Sequence, residues 1–354
     1  EIDVAVVTIP AHRVFSAVQD LCRKNVKNAV LISAGFSEIG NLEEERKISD
    51  YANERGMRIL GPNVFGIYSS SSDLNATFVS GNIPRGRLAM ITQSGALGLT
   101  LVGQASVEHI GLSAIVSVGN KSDIDEGDLL DYLRTHDATS MVLLYIEGIR
   151  NGEKFISTMK DITRVKPVVI IKSGRSQRGA MAAASHTGSL AGSDDLFDAI
   201  ARQCGALRAE STKEAFNWCK FMTNNPLPRG ENTVIITNGG GAGVMATDAC
   251  EKYSIPLYDD AHDLKRIFGA AVPSFGSTKN PVDVTGNASP RDYTKAFDAA
   301  LQSENIHTVV GIYCETAIVP ADSLKETAET HFQKYRDKGK LIIFSLFGGQ
   351  KTSE

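Results

Sequence analysis

A single histidine in a segment of small residues is the strongest candidate for covalent chemistry in this sequence. His186 lies in the stretch 173–192, which follows the apolar run 168–172 and consists mainly of Gly, Ala and Ser. Imidazole is a good nucleophile near neutral pH, and a loop of small residues after a strand can move. The alternative is a solvated histidine without a catalytic role, and the residues of this segment alone leave both interpretations open.

Two turns between a strand and a helix could hold an anion. The first contains Gln93, Ser94 and Gly95, and the second contains Gly239, Gly240 and Gly241. The first turn of a helix presents unpaired N–H groups and a partial positive charge, and glycine lets an anion approach the backbone. Tight turns between a strand and a helix also favour glycine for purely structural reasons, so each turn alone keeps both explanations.

Glu147 is the second candidate for catalysis. It follows the apolar run 141–146, at the end of a predicted strand, where ligands collect in open α/β sheets. A carboxylate there could accept a hydrogen bond from Nδ1–H of an imidazole, so that Nε2 faces the substrate. The alternative is a carboxylate that caps the next helix. An equivalent glutamate, Glu315, precedes Thr316 and Ala317, and ranks below Glu147.

Three loops near the start of the chain are predicted to form one ligand-binding edge. Each follows a predicted strand, and the carboxyl ends of parallel strands meet at one edge of a sheet. The candidate residues are Ile9, Pro10, Ser33, Ala34, Gly35, Pro62 and Asn63. No Gly-x-Gly-x-x-Gly pattern is visible among them, and we expect the strand–helix unit that would carry it to lie outside this chain.

The elements that position these residues are predicted to be parallel strands and crossover helices. Nine short apolar runs rich in Val and Ile alternate with amphipathic stretches. They are residues 4–9, 29–33, 88–92, 114–118, 141–146, 168–172, 233–237, 308–313 and 341–345. Continuous apolar runs are typical of strands buried on both faces. The sequence therefore predicts an α/β fold.

An internal repeat divides the chain. Four pairs of segments recur in the same order, namely 90–98 with 235–243, 117–120 with 284–287, 142–147 with 310–315, and 166–171 with 339–344. Turn-rich linkers at 80–86 and 224–230 separate the parts. We therefore predict three domains: the C-terminal part of a Rossmann-like domain at 1–84, and two related flavodoxin-like parallel-sheet domains at 85–226 and 230–354. The chain begins without Met, directly in an apolar run, and is expected to be a fragment or a processed product.

Composition narrows the class of partner. The chain has 37 Lys and Arg against 41 Asp and Glu, a net charge of −4, which disfavours nucleic acid and anionic membranes as partners. No apolar run approaches the length of a membrane span. The five cysteines include no Cys-x-x-Cys pair, which argues against a disulfide framework or a metal site, so a cytoplasmic protein is expected.

These segments together resemble the nucleoside-diphosphate-forming acyl-CoA synthetases, the superfamily of ADP-forming acetyl-CoA synthetase and succinyl-CoA synthetase. Residues 185–192, Ser-His-Thr-Gly-Ser-Leu-Ala-Gly, are similar to its phosphohistidine loop, and residues 91–98 are similar to its phosphate-holding helix start. The resemblance implies that the first domain binds CoA, that Glu147 partners a phosphorylated His186, and that Gly239 to Gly241 and Thr316 face the phosphate from the third domain.

The resemblance also implies an activity. It is ligation of a small carboxylic acid to CoA, with ATP converted to ADP and phosphate, or the reverse reaction through an acyl phosphate. ATP or ADP with Mg²⁺ would bind to an ATP-grasp subunit or domain that this sequence does not contain, within an oligomer. One rival is a non-catalytic CoA- or acyl-CoA-sensing regulatory module, as in protein acetyltransferase-like proteins, which the intact segment around His186 disfavours. The other is an NAD-dependent dehydrogenase, suggested only by the α/β pattern.

Overall fold

The computed structural model describes residues 2–187, 193–225, 228–317, 321–335 and 338–349, without the side chains of 183–187, 321 and 323. The chain divides into two compact units, residues 1–223 and 224–354. The first unit contains a three-stranded and a seven-stranded sheet, and the second contains a four-stranded sheet. No helix in the described ranges is both long and apolar enough to cross a membrane.

The three-stranded sheet comes first in the chain. Its elements are β1 (Ala5–Val7), α1 (Ala11–Arg23), β2 (Asn28–Leu31), α2 (Leu42–Asn53) and β3 (Arg58–Leu60). The strands lie side by side in chain order and are all parallel. As predicted, the loops after the strands therefore share one edge of the sheet. Val14 and Val18 on the inner face of α1 are fully buried and pack with Phe36 and Met57.

The seven-stranded sheet forms the rest of the first unit. Its strands are β4 (Gly66–Ser69), β5 (Leu74–Thr77), β6 (Arg85–Thr92), β7 (Leu112–Ser117), β8 (Met141–Ile146), β9 (Val168–Lys172) and β10 (Leu207–Ala209). Its helices are α3 (Gly95–Val107), α4 (Glu126–Thr135), α5 (Gly152–Thr163), α6 (Gln177–Thr187), α7 (Asp194–Gln203) and α8 (Thr212–Asn224). The strand order is β10-β9-β8-β6-β7-β4-β5. Every residue of β8 is buried, as expected for a central strand covered on both faces.

The four-stranded sheet of the second unit, like the parallel part of the seven-stranded sheet, consists of strands that alternate along the chain with helices. It contains β11 (Thr233–Thr237), α9 (Gly240–Lys252), α10 (Ala261–Phe268), β12 (Val282–Asp283), α11 (Pro290–Gln302), β13 (Thr308–Cys314), α12 (Ala321–Tyr335) and β14 (Leu341–Phe347). All pairings are parallel, in the order β12-β11-β13-β14. Its core lies around Tyr293, Phe297 and Tyr313, all fully buried.

Strand order confirms the internal repeat. In the first unit β7, β6, β8 and β9 are neighbours in that order, and β12, β11, β13 and β14 repeat it in the second. Each of the four matched segment pairs falls on equivalent elements of the two sheets. The α/β class and the two related flavodoxin-like parallel sheets predicted from the sequence are thus confirmed.

The edge of the seven-stranded sheet differs from the sequence expectation. Residues 66–77, which we assigned to the first domain, form the hairpin β4–β5, and β4 pairs antiparallel with β7 of the second sheet. Gly66 permits the pairing of β4 with β5, because a Cβ there would lie 1.8 Å from the Ala76 carbonyl oxygen of β5. The short strands of this hairpin carry Ser and Asn, so they lack the continuous apolar pattern that predicts a strand.

Candidate functional site

The turn between β6 and α3 leaves open space in front of a helix start. Ser94 is the N-cap of α3, and its Oγ accepts a hydrogen bond from the Leu97 N–H at 3.3 Å. Its carbonyl accepts from Thr92 Oγ1 at 2.8 Å, which fixes the turn. A Cβ built on Gly95 meets no atom within 4 Å. The first-turn N–H groups have no acceptor within the helix, so an anion can approach them here.

The glycines of this helix serve different purposes. A Cβ on Gly98 would lie 2.6 Å from Phe65 Cε1 and 2.7 Å from Thr92 Cγ2, so Gly98 is required for the helix to pack on the sheet. Gly95 has no such neighbour, and its φ is not positive. Packing and backbone strain therefore do not explain Gly95, which favours the anion-binding interpretation of this turn.

Glu147 lies beside this turn, at the end of β8. The Gln93 Oε1 atom accepts hydrogen bonds from the backbone N–H groups of Glu147, at 2.9 Å, and Gly148, at 3.2 Å. Tyr145 donates its hydroxyl to Glu147 Oε1 at 3.3 Å, and burial raises the pKa of Tyr145, as does the nearby Glu147 carboxylate. The Glu147 residue is 7% exposed.

The helix-capping interpretation of Glu147 does not hold. The next helix, α5, has Asn151 as its N-cap, and Asn151 Oδ1 accepts a hydrogen bond from the Lys154 N–H at 3.1 Å. Glu147 instead lines a cavity together with Gly148 and Arg150. Its carboxylate is therefore available to a ligand or to another side chain in that cavity.

The cavity has a volume of about 980 Å³ and lies between the two sheets of the first unit. Its lining contains residues of both the predicted CoA edge and the predicted phosphate turn, two sites whose proximity the sequence did not show. Of the predicted residues, those that line it are Ala34, Asn63, Gln93, Ser94, Gly95 and Glu147. The structure thus places the predicted CoA edge and the predicted phosphate turn on the walls of one pocket.

The other residues of the predicted CoA edge do not line this cavity. The Ser33 hydroxyl donates to the Ile9 carbonyl, and the Ser33 backbone carbonyl accepts from the Asn63 N–H at 2.9 Å. Pro10 is the N-cap of α1, and Pro62 follows a cis peptide bond. Gly35 has a φ of +113°, which favours glycine. Ile9, Pro10, Ser33, Gly35 and Pro62 therefore shape the loops that present Ala34 and Asn63.

The side-chain amide of Asn120, which was not among the predicted site residues, joins the walls of the cavity. Asn120 Oδ1 accepts from Asn63 Nδ2 at 3.2 Å, and Asn120 Nδ2 donates to Glu38 at 2.6 Å and to Glu45 at 2.9 Å. Burial raises the pKa of Glu38, but hydrogen bonds from the Gly35 N–H and Asn120 hold it below its usual value. Asn120 follows β7, so the strand-end rule that selected Glu147 would have found it.

The second unit repeats the turn with different details. A Cβ on Gly241 meets nothing within 4 Å and one on Gly240 only Asp283 at 4.0 Å, whereas one on Gly239 would lie 2.6 Å from Cys314 Sγ. Asn238 exchanges two hydrogen bonds with the Cys314 backbone, at 2.8 and 2.9 Å. Among the described atoms, Thr316 Oγ1 is buried without a partner.

The segment around His186 departs from the expected loop. Residues 177–187 form α6, whose start is held by Ser176, and the Ala-rich sequence explains this because Ala is the best helix former. The side chain of His186 and residues 188–192 lie outside the described residues. The strand before α6 ends in Lys172, whose pKa burial lowers.

Comparisons with known proteins agree with this architecture. Residues 85–222 match the model of a succinyl-CoA ligase like flavodoxin domain, and residues 233–354 match that of a ligase-CoA domain. The subunit alpha of acetate–CoA ligase (ADP-forming) I from Pyrococcus furiosus is 45% identical over 100% of this chain and 77% of its own length.

Two further relatives extend the comparison. A 4-hydroxybutyrate–CoA ligase (ADP-forming) from Nitrosopumilus maritimus is 35% identical to this chain. The matched region covers 98% of this chain and 50% of the ligase. A solved dinucleotide forming acetyl-coenzyme A synthetase 1 from Ca. Korarchaeum cryptofilum, in complex with phosphate and ADP, has a TM-score of 0.93 and 39% identity, covering 99% of this chain and 76% of that one. The chain belongs to the ADP-forming acyl-CoA synthetases, and resembles their alpha subunits.

Proposed function

We propose that this chain carries the CoA, acyl and phosphate chemistry of an acid–CoA ligase that forms or consumes ATP. The observation that carries the proposal is the single cavity whose walls contain the α3 helix start, Glu147 and the edge of the first sheet. Phosphate would attack the thioester carbonyl of an acyl-CoA, giving acyl phosphate and free CoA. His186 would then take the phosphoryl group, releasing the carboxylate, and would transfer it to ADP.

The α3 helix start is the proposed phosphate site. Gln93, Ser94 and Gly95 line the cavity, and the space beside Gly95 is open. Unpaired backbone N–H groups and the helix dipole stabilise an anion without reorganisation, as phosphoryl transfer requires. In the second unit, Gly239, Gly240, Gly241 and Thr316 are proposed to bind phosphate at the start of α9 and in the loop after β13.

Glu147 is proposed to orient His186. A carboxylate that accepts the imidazole Nδ1–H fixes the tautomer in which Nε2 is the nucleophile, and its charge stabilises the imidazolium. Two features support this role. The Glu147 backbone is fixed by Gln93, and its carboxylate is buried, so a charge partner there is screened little by water.

CoA is proposed to bind along the edge of the first sheet, where Ala34 and Asn63 line the cavity. A volume of about 980 Å³ lies within the range of cofactor and ligand sites. The relatives include ligases for acetate and for 4-hydroxybutyrate, so a small carboxylic acid is the substrate class that we propose. The identity of the acid would be set by the remainder of this cavity.

The nucleotide half-reaction is proposed to use a partner. The first of the relatives above is a subunit alpha, and this chain spans half of the 4-hydroxybutyrate ligase. We infer that an ATP-grasp subunit or domain binds ATP or ADP with Mg²⁺ and exchanges the phosphoryl group with His186, within an oligomer. The five free cysteines fit a reducing compartment such as the cytoplasm.

Phosphoenzyme formation tests this function. The chain is combined with the ATP-grasp subunit of a relative and labelled ATP, and we expect phosphate that is acid-labile and base-stable on His186. The variant His186→Ala should lose the label but still bind CoA, whereas His262→Ala, at an exposed position of α10, should keep both. CoA binding without any label would favour the sensing module, and NAD binding in place of CoA would favour a dehydrogenase.

A further inference from the structure

The loops that follow β7 and β8 hold each other through two basic side chains. Lys121 Nζ donates to the Gly148 carbonyl at 2.6 Å. In the opposite direction, the Arg150 guanidinium donates to the carbonyls of Lys121 and Ser122, at 2.6 Å for Ser122. Lys121 and Arg150 both lie in the wall of the cavity, next to Glu147. The position of the Glu147 loop therefore depends on these contacts.

Lys121 is held in place by a buried carboxylate. Its ammonium lies 3.3 Å from Glu126 Oε2, and the side chains are 6% and 2% exposed. Burial raises the pKa of Glu126, and the charge of Lys121 opposes this rise. A buried ion pair is on average no more stable than well-packed apolar residues of the same volume. Stability alone therefore does not account for this pair.

The peptide groups around Glu147 are fixed from two sides. Gln93 Oε1 accepts from the N–H groups of Glu147 and Gly148, and Lys121 donates to the carbonyl of Gly148. We propose that Lys121, held by Glu126, is a positioning residue that fixes Gly148 and thereby the Glu147 carboxylate. This inference rests on the proposed function, because it assigns Lys121 to the step in which Glu147 orients the imidazole.

The second copy of the fold supplies a comparison within the same chain. The Val118 N–H donates to the Thr92 carbonyl as the Val284 N–H donates to that of Thr237, so the loop after β12 corresponds to the loop after β7 that carries Lys121. Among the described hydrogen bonds and ion pairs, no side chain of residues 284–289 reaches the loop of Glu315. Glu315 is exposed, and its carboxylate accepts from the Gly349 N–H at 2.6 Å. The lysine contact therefore accompanies only the copy whose glutamate is buried in the cavity.

The experiment separates positioning from stability. In Lys121→Met the Glu126 charge would be left buried and unpaired, so the decisive variant is Lys121→Met with Glu126→Met, which keeps the volume of both side chains without charge. We expect its melting temperature to stay close to that of the wild type. With the ATP-grasp subunit present, single-turnover phosphorylation of His186 should slow by about 10- to 100-fold, since small misplacements of catalytic groups have effects of this size. The CoA concentration for half-saturation should not change.

A matched control is available in the same unit. Lys166 Nζ donates to the carbonyls of Leu133 and His136, at 2.6 and 2.7 Å, at the opposite end of the sheet from the cavity. Lys166→Met removes the same kind of contact and should leave the phosphorylation rate unchanged. If the double methionine variant fails to fold, Lys121→Gln with Glu126→Gln replaces it. The shorter Gln side chain should not reach Gly148, so the same loss of rate is expected.

Three outcomes count against the inference. If the folded double variant phosphorylates His186 at the wild-type rate and binds CoA normally, the inference is wrong. If the phosphorylation rate is unchanged but CoA binding is weaker, the inference is also wrong, and Lys121 is a ligand-binding residue. Both leave the proposed function intact, provided that the wild type is labelled on His186. If the wild-type complex carries no label, the proposed function fails and the inference fails with it.

Discussion

The side-chain amide of Gln93 is hydrogen-bonded to the backbone of Glu147. Its Oε1 accepts from the N–H groups of Glu147 and Gly148, at 2.9 and 3.2 Å. Because two backbone donors require an acceptor, the orientation of the amide is determined, and Nε2 remains a donor at the cavity wall. One residue thus connects the phosphate turn with the proposed orienting carboxylate.

Substitution of Gln93 should affect both features. Gln93→Met leaves two part-buried N–H groups without an acceptor, and we expect a loss of about 1 to 3 kcal/mol in the free energy of unfolding. Phosphorylation of His186 should also slow by about 10-fold or more. Chemical denaturation and single-turnover labelling measure the two effects. Gln203→Met, at an exposed position of α7, is the control and should change neither.

Gly95 and Ser94 should respond differently to substitution. Gly95→Val should fold, since a Cβ there meets no atom within 4 Å, but the side chain should obstruct phosphate. Ser94→Ala removes the cap of α3 and should cost roughly 1 kcal/mol of stability, with a modest effect on phosphate. The measurement is the phosphate dependence of acyl-CoA cleavage.

A third glycine in the same helix serves as the control. Gly103 is exposed in α3 with no atom within 4 Å of an added Cβ, so Gly103→Ala should raise stability by about 0.5 to 1 kcal/mol and leave the phosphate dependence unchanged. Equal and small effects of Gly95→Val and Ser94→Ala on the phosphate dependence would show that the anion binds elsewhere.

Removal of the Glu147 charge should slow chemistry while the fold persists. Glu147→Gln keeps the shape of the side chain and an acceptor for the Tyr145 hydroxyl, but it no longer stabilises an imidazolium. We expect the rate of His186 phosphorylation to fall on the order of 10²-fold or more. Glu153→Gln, at an exposed position of α5, controls for the loss of one charge. An unchanged rate in Glu147→Gln would return Glu147 to a structural role.

Asp263 should make the stability of the second unit depend on pH. Hydrogen bonds from Asn305, Tyr258 and Arg266 lower its pKa to about 2. A carboxylate whose pKa is depressed in the folded state stabilises the fold above its unfolded pKa, about 4, and this contribution is lost as pH falls toward about 2. Asp263→Asn should therefore lower the melting temperature at pH 7 but have a much smaller effect near pH 2.

Thermal unfolding of the full chain across this pH range tests the prediction for Asp263. Asp259→Asn, at a neighbouring exposed position, controls for the removal of one negative charge. At pH 7 it should lower the melting temperature less than Asp263→Asn does. A difference between wild type and Asp263→Asn that stays constant from pH 7 to pH 2 would contradict the assigned hydrogen-bonding role.

The repeating apolar runs determined much of this fold. Strands such as 141–146 and 308–313 are recognisable because a strand buried on both faces must be apolar throughout, and each of the nine predicted runs overlaps a strand of the structure. The hairpin at 66–77 has no such signature, and its pairing with β7 depends on contacts distant in sequence. The Ala-rich helix α6, which includes position 186, also differs from the expected loop, because Ala is the best helix former.

The identities of the candidate site residues could be predicted from local sequence, but the hydrogen bonds between them could not. Gln93, Gly95 and Glu147 are identifiable because strand ends and helix starts are predictable positions for ligands. Sequence alone could not show that Gln93 binds the backbone of Glu147, that Asn120 joins Asn63 to Glu38, or that Lys121 reaches Gly148. These contacts join residues 27 to 82 positions apart, and only the pairing of parallel strands within a sheet and the packing of the two sheets bring their loops together.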